Sequence, residues 1–169
     1  MNKACWYVNS PIGWLTLQQE AECLAALRFG RQEAEEANLI CTPLLRETQK
    51  QLSAYFAGKL RQFQLPLAPQ GTAFQQKCWQ VLQTIPYGHT FTYKQQAEAA
   101  GNPGAARAVG MANHRNPLPI IIPCHRVVGA NGKRTGYAGG LFIKEYLLEL
   151  EAKALGGCMP QEKGQPLKE

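Results

Sequence analysis

One cysteine carries the clearest sign of chemistry in this sequence. Cys124 stands in the run Pro123-Cys124-His125-Arg126-Val127. A nearby base or cation lowers the pKa of a thiol from about 8.5 and so favours the nucleophilic thiolate. Neighbouring side chains of an extended chain point to opposite sides, so contact between Cys124 and His125 needs a turn or a bridging water. The other histidines, His89 and His114, are predicted in a turn and at a helix end.

The segments on either side of Cys124 indicate how it is held. The apolar run Ile120–Pro123 ends in a proline, which predicts a buried, extended approach to the cysteine. A loop rich in glycine follows. A last helix is predicted over residues 141–153, with Leu147, Leu148 and Leu150 on its inner face.

Helix signals are frequent before Cys124. Two capping boxes, Thr72 with Gln75 and Thr92 with Gln95, predict two helix starts. The pair Asn102-Pro103 predicts an N-cap for a third helix over residues 103–113. The last two helices, joined by a turn at Gly101, are typical of a helix-turn-helix.

The third predicted helix is rich in small residues and carries one long basic side chain, Arg107. Small residues suit close packing against neighbouring helices. They equally suit a helix whose backbone approaches a phosphate chain or groove. The basic charge of this half of the chain favours the second interpretation.

The first part of the chain predicts a separate unit. Residues 5–29 predict strands with a turn at Ser10–Gly13, and residues 43–57 predict a helix that stops at Gly58. The segment Gln64–Gly71 holds two prolines and a glycine and predicts a linker. We therefore expect an N-terminal domain over 1–68, a second domain over 69–155 and a loose tail over 156–169.

Composition narrows the classes of function. The 169 residues are 45% hydrophobic and 18% charged, which is typical of a globular protein with a core. No apolar run approaches the roughly 20 residues that cross a bilayer, and the first residues do not resemble a secretory signal. The six cysteines form no CxxC pair, and Cys5 and Cys23 have no histidine before His89 to complete a zinc site. We expect no metal and a reducing, intracellular setting.

The net charge of +6 is unevenly distributed. Residues 1–68 hold 7 Lys and Arg against 6 Asp and Glu, whereas residues 69–169 hold 11 against 6. A basic second half favours a polyanionic partner, of which nucleic acid is the commonest.

Four blocks of this second half, in order, resemble the O6-alkylguanine-DNA alkyltransferase family, also called methylated-DNA–protein-cysteine methyltransferases. The likeness is dense from Phe74 to Glu151, and the turn at Ser10–Gly13 fits the family's N-terminal domain more loosely. The blocks are the recognition helix (Ala105–Gly110), the asparagine hinge (Asn116-Pro117), the active-site signature (Pro119–Val128) and the closing loop and helix (Tyr137–Leu141, Lys144 and Leu147–Glu151).

The resemblance implies an α+β fold, in which a small ribonuclease H-like domain of sheet and helix precedes a helical winged helix-turn-helix domain. It implies that Cys124 takes an alkyl group from guanine O6, once and irreversibly. It implies that His125 accepts the thiol proton through a water and that Glu151 supports His125. Asn116 braces the turn that carries Cys124, and Tyr137 assists the departing guanine. No cofactor is implied.

The target atom faces into the duplex, so the resemblance also implies extrusion of the base. It implies that Arg107 fills the vacated place in the base stack and that Tyr93 turns the phosphate. Thr92, next to Tyr93, is also implied to contact the DNA. Ala106 and Gly110 allow close approach to the minor groove, where readout is degenerate. The base pocket is expected to include Pro119, Val127, Ala138 and Gly139.

The implied partner is double-stranded DNA with alkylated guanine, bound by a monomer. A bacterial cytoplasm is the expected setting, because no basic nuclear-localisation cluster occurs. The alternatives are a non-reacting protein that binds alkylated bases, a winged-helix regulator with a cysteine sensor, and a cysteine hydrolase. Cys124 counts against the first, since the non-reacting relatives lack that cysteine. The accepted alkyl size, action on O4-alkylthymine and the role of the tail stay open.

Overall fold

The computed structural model describes residues 3–34, 36–134 and 136–156, which divide into two compact units. The first unit ends at Gln70 and the second begins at Gly71. The predicted linker, Gln64–Gly71, contains this division. The predicted tail lies outside the described residues except for Gly156.

A four-stranded sheet forms most of the first unit. Its strands are β1 (Lys3–Ser10), β2 (Gly13–Glu20), β3 (Cys23–Phe29) and the short β4 (Asn38–Leu39), in the order β3-β2-β1-β4. The first three are antiparallel neighbours, and β4 pairs in parallel with β1. The predicted turn at Ser10–Gly13 is confirmed: Gly13 has a φ of 100°, and the Ser10 hydroxyl donates to the Gly13 carbonyl at 2.6 Å. The sequence did not predict β4.

Helix α1 (Pro43–Phe56) packs on β1, β2 and β3. Thr42 caps its first turn by accepting the Leu45 N–H at 3.1 Å. The predicted stop is confirmed, because Gly58 adopts a φ of 75° directly after the helix. Apolar side chains of the sheet and the helix form the core, namely Leu15, Leu17, Leu24, Leu27, Leu45, Leu52 and Tyr55.

The second unit is mostly helical. It contains α2 (Ala73–Leu82), α3 (Tyr93–Ala99), α4 (Ala106–His114) and α5 (Leu141–Ala154). Strands β5 (Phe91–Thr92) and β6 (Val127–Val128) form a small parallel sheet. Both predicted capping boxes are present, at Thr72 and Thr92. The predicted last helix is also present, although Leu150 is only half-buried.

The predicted start of the third helix is wrong. Helix α4 begins at Ala106, and its N-cap, Ala105, has no side-chain capping bond. Residues 102–105 instead form a turn, in which the Asn102 carbonyl accepts the Ala105 N–H at 3.0 Å. The turn between α3 and α4 is therefore longer than the proline signal indicated.

Two buried polar contacts fix α4 against its neighbours. Gln96 of α3 and Asn113 of α4 exchange hydrogen bonds through their amides, at 2.8 and 2.7 Å. The indole N–H of Trp79, on α2, donates to the Ala112 carbonyl at 2.8 Å. These bonds hold the helix-turn-helix at a defined angle.

We predict that Gln96→Leu lowers the free energy of unfolding by about 2 kcal/mol, because it leaves the buried Asn113 amide unsatisfied. Adding Asn113→Leu should recover part of this loss, since both polar partners are then gone. Urea unfolding measures both values, with Lys94→Gln on the exposed face of α3 as the control within about 0.5 kcal/mol. Equal stability of the Gln96→Leu and wild-type proteins would contradict the prediction.

Candidate active site

The turn that carries Cys124 is fastened by one side chain. The Asn116 amide donates to the Ile122 carbonyl at 2.8 Å and accepts the Leu118 N–H at 2.9 Å. The extended path predicted for residues 120–123 is wrong. The chain turns there, with the Ile122 N–H bonded to the Leu118 carbonyl and Ile120 at a φ of 74°. The amide nitrogen and the amide oxygen of Asn116 both stabilise this turn.

Cys124 begins a 3₁₀ turn, Cys124–Arg126, whose three side chains are buried. The turn sends His125 to the buried carboxylate of Glu151 on α5, with 2.7 Å between Nε2 and Oε2. Arg126 binds the same carboxylate with two N–H groups, at 2.9 and 3.0 Å, and the Gly88 N–H donates to it at 3.0 Å. Glu151 therefore joins α5 to the cysteine turn and to the turn after α2.

These contacts determine the charge states of the pair. Burial favours a raised pKa for Glu151, but the charges and hydrogen bonds of His125 and Arg126 outweigh it and hold that pKa well below its usual range. Burial lowers the pKa of His125, although Glu151 opposes the shift. A neutral His125 donates its Nε2 proton to the carboxylate, which leaves Nδ1 as the basic nitrogen. This Nδ1 is buried and makes no hydrogen bond to any described residue.

The thiol of Cys124 is subject to opposing influences. Burial raises its pKa, whereas the Asn116 side chain, the charge of Lys144 and the Tyr137 hydroxyl act to lower it. Burial and the neighbouring Cys124 raise the pKa of Tyr137 well above its ordinary value. Tyr137 therefore stays protonated and able to donate.

Lys144 is a buried cation close to the thiol. Its ammonium group donates to the Val127 carbonyl at 2.6 Å and to the Gly136 carbonyl at 3.4 Å. Burial lowers the pKa of Lys144 to about 8, and the interaction with Cys124 opposes this shift. The lysine thus joins α5 to the loop before it and supplies positive charge near the sulfur.

A cavity of about 80 Å³ opens beside Cys124. Of the predicted pocket residues, Ala138 contributes to its wall. Pro119 and Val127 are buried and Gly139 is half-buried, and none of the three lines this cavity. The described lining residues are Tyr93, Gly110, Asn113, His114, Cys124, Gly136, Tyr137 and Ala138.

The residues predicted to contact DNA lie on the helix-turn-helix. Thr92 is the N-cap of α3, and Tyr93 is its first residue. Ala106 and the exposed Arg107 begin α4, and Gly110 lies one turn further on, against the Tyr93 ring. Gly110 and Tyr93 thus reach the cavity that holds Cys124, whereas Arg107 projects from the surface.

Several polar residues of this site, among them Arg126, Lys144 and His114, have no role that the sequence alone predicts. In the sequence, Arg126 is only the neighbour of His125, Lys144 is part of the resemblance, and His114 lies at a predicted helix end. A signal existed for Lys144, because a lysine at helical spacing with Leu147, Leu148 and Glu151 falls on the buried face. The partners of Arg126 lie 25 and 41 residues away in sequence, at Glu151 and Ile85, and no local pattern predicts them.

The described residues offer two further observations on function. No group of three or more His, Cys, Asp or Glu side chains among them could hold a metal ion. Within the same residues, none of the helices has the length and apolar character needed to cross a membrane.

Comparisons with known proteins agree with the fold. Residues 4–69 match the family model described as 6-O-methylguanine DNA methyltransferase, ribonuclease-like domain. Residues 73–153 match the model of the DNA binding domain of the same family. The α+β fold predicted from the sequence, with its ribonuclease-like and DNA-binding parts, is confirmed.

Individual relatives cover most of the chain. A methylated-DNA–protein-cysteine methyltransferase of Methanosarcina acetivorans is 52% identical over 154 residues, 89% of this chain and 96% of the relative. One of Mycobacterium tuberculosis is 50% identical over 147 residues, 85% and 89% of the two chains. The crystal structure of Mycobacterium tuberculosis OGT in complex with DNA has a TM-score of 0.84 at 46% identity, covering 89% of this chain and 94% of that one. This chain therefore belongs to the 6-O-methylguanine DNA methyltransferase family.

Proposed function

We propose that this protein repairs DNA by transferring the alkyl group of O6-alkylguanine directly to Cys124. One observation carries the proposal: a buried cysteine borders a cavity and is followed directly by a histidine held by a buried glutamate. Membership of the family and the names of its relatives support methylated DNA as the substrate and a protein cysteine as the acceptor.

The transfer is a displacement at the alkyl carbon. The Cys124 thiol gives its proton to Nδ1 of His125 through a water, and Glu151 stabilises the imidazolium that forms. The thiolate attacks the alkyl carbon in line with the bond to O6, so that a C–S bond forms as the C–O bond breaks. As O6 becomes a carbonyl oxygen, the departing guanine ring takes up one proton, which balances the proton lost by the thiol. The Tyr137 hydroxyl donates a hydrogen bond toward the departing base.

The product is a thioether, which has no ready route back to a thiol. Each molecule of the protein therefore acts once. Lys144 contributes a positive charge near the sulfur while the thiolate forms. The Asn116 amide holds the turn that positions Cys124.

The guanine reaches Cys124 only after it leaves the double helix. In this proposal α4 enters the minor groove, Arg107 fills the vacated position, and Tyr93 turns the phosphate. Because Ala106 and Gly110 are small, the backbone of α4 can approach the groove closely. Ala138, which lines the cavity, borders the base once it is bound. The protein acts as a monomer in a reducing cytoplasm, where its thiols stay available.

Label transfer tests the proposal directly. We expect duplex DNA with O6-[³H-methyl]guanine to leave about one label per protein chain, and none after Cys124→Ala, because the acceptor sulfur is lost. Cys78→Ala removes a different buried cysteine and serves as the control, which should retain transfer. Tight binding without label would instead favour a non-reacting binding protein, and repeated turnover would favour a hydrolase.

The buried carboxylate gives a second prediction. Glu151→Gln should slow transfer on the order of 100-fold, because His125 loses the charge that stabilises its protonated form. It should also lower the free energy of unfolding at pH 7 by about 3 kcal/mol, since Arg126 remains buried without an ionic partner. Single-turnover kinetics and urea unfolding measure the two effects, with Glu149→Gln on the same helix as the control.

The lowered pKa of Glu151 also sets the direction of a pH effect. The unfolded carboxyl takes up a proton below about pH 4.3, whereas the folded one resists it, so the wild-type protein loses stability as the pH falls below that value. This acid decline should be shallower in Glu151→Gln and unchanged in Glu149→Gln. Identical declines in all three proteins would count against an ionised, ion-paired Glu151.

Gly110 allows stability and DNA contact to be separated. A Cβ there would lie 3.6 Å from the Tyr93 ring, an ordinary contact, so the protein itself accepts alanine. We predict that Gly110→Ala raises the free energy of unfolding by up to about 1 kcal/mol through helix propensity. Transfer from duplex DNA should slow roughly tenfold, because the methyl group keeps α4 from the groove. Thermal unfolding and transfer kinetics test this, and transfer as fast as wild type would exclude close approach at Gly110.

A further inference from the structure

The rim of the cavity beside Cys124 has little chemistry of its own. Three of the described residues that line the cavity are exposed: His114, Gly136 and Ala138. Of these, only His114 has a polar side chain. If an extruded base enters the cavity, as the proposed function requires, its sugar and phosphates stay outside and cross this rim.

The other polar side chains of the cavity are already engaged or lie deeper. The amide nitrogen and the amide oxygen of Asn113 both form hydrogen bonds with Gln96. Tyr137 interacts with the thiol of the buried Cys124. The imidazole of His114, by contrast, is exposed at the rim of the cavity and forms no hydrogen bond within the part of the chain that the structure describes. It is therefore a donor that nothing in the described protein uses.

The position of His114 along α4 points in the same direction. Arg107, Met111 and His114 stand at i, i+4 and i+7 and so share one helix face, and all three are exposed. This face runs from the arginine proposed to enter the DNA stack to the mouth of the cavity. His114 is also the last residue of the helix, where the backbone carbonyls repel an approaching phosphate. A side-chain donor at that end offsets the repulsion.

We infer that His114 is a positioning residue, which donates a hydrogen bond to a phosphate that flanks the extruded nucleotide. This inference rests on the proposed function, because it requires the base to occupy the cavity. The bond holds the sugar-phosphate chain at the rim and so aligns the alkyl carbon with Cys124. In this role the imidazole acts on the backbone phosphate and not on the reacting carbon or the sulfur.

The contact is testable by changing both of its partners. We expect His114→Ala to slow transfer from duplex DNA with O6-methylguanine about tenfold, the loss of one hydrogen bond to a charged group. A neutral methylphosphonate is placed in turn at the phosphate on each side of the modified nucleotide. At one of these positions the wild type should slow by a similar factor, and His114→Ala should slow no further.

Two variants separate this contact from general effects of charge and folding. His114→Gln retains an N–H donor and should recover part of the rate. Arg115→Gln alters the exposed neighbour that does not line the cavity, so its effect should multiply with that of either methylphosphonate. The temperature of thermal unfolding should be unchanged in His114→Ala, because the His114 side chain forms no hydrogen bond with the described residues.

The outcomes distinguish this inference from the proposed function. No label transfer by the wild type would overturn the proposed function. Transfer by the wild type and equally fast transfer by His114→Ala would overturn the inference alone. A loss in His114→Ala that multiplies with the loss at both neutral phosphates would also overturn it, because the imidazole would then act on something else.

Discussion

The carboxylate of Glu151 lies fully buried in the second unit and receives hydrogen bonds from two other segments of the chain. An isolated buried charge costs several kcal/mol, so this carboxylate is tolerated only while His125, Arg126 and the Gly88 N–H surround it. The same bonds fix the side of His125 that faces away from Glu151. The same set of bonds thus compensates the buried charge of Glu151 and orients His125, the candidate base.

The helix-turn-helix depends on similar buried polar bonds. The amide exchange between Gln96 and Asn113 and the bond from the Trp79 indole to Ala112 hold α4 by its C-terminal half. Asn113 belongs at once to this packing and to the wall of the cavity beside Cys124. Movement of α4 would therefore change the cavity as well as the face of α4 that is proposed to contact DNA.

The features that could be predicted from sequence are those set by neighbouring residues. The capping boxes at Thr72 and Thr92 work over three residues and were predicted correctly. The start of α4 was not, because the turn over 102–105 competes with the helix that Pro103 permits. The turn before Cys124 also escaped prediction, since its bonds come from the Asn116 side chain rather than from a backbone repeat. The grip of Arg126 on Glu151 depends on the folded chain bringing distant residues together.

Burial gives Cys124 a property that suits a protein used once. A low thiol pKa would expose a thiolate to any small electrophile, and each such encounter would consume a molecule. Here burial raises the pKa of Cys124, while Asn116 and Lys144 stand in place to oppose that shift. The sulfur is thus kept mainly as a thiol at rest, and the groups that stabilise its anion are already positioned when a substrate fills the cavity. In the proposed function, selectivity then rests on the fit of the substrate in the cavity rather than on an acidic thiol.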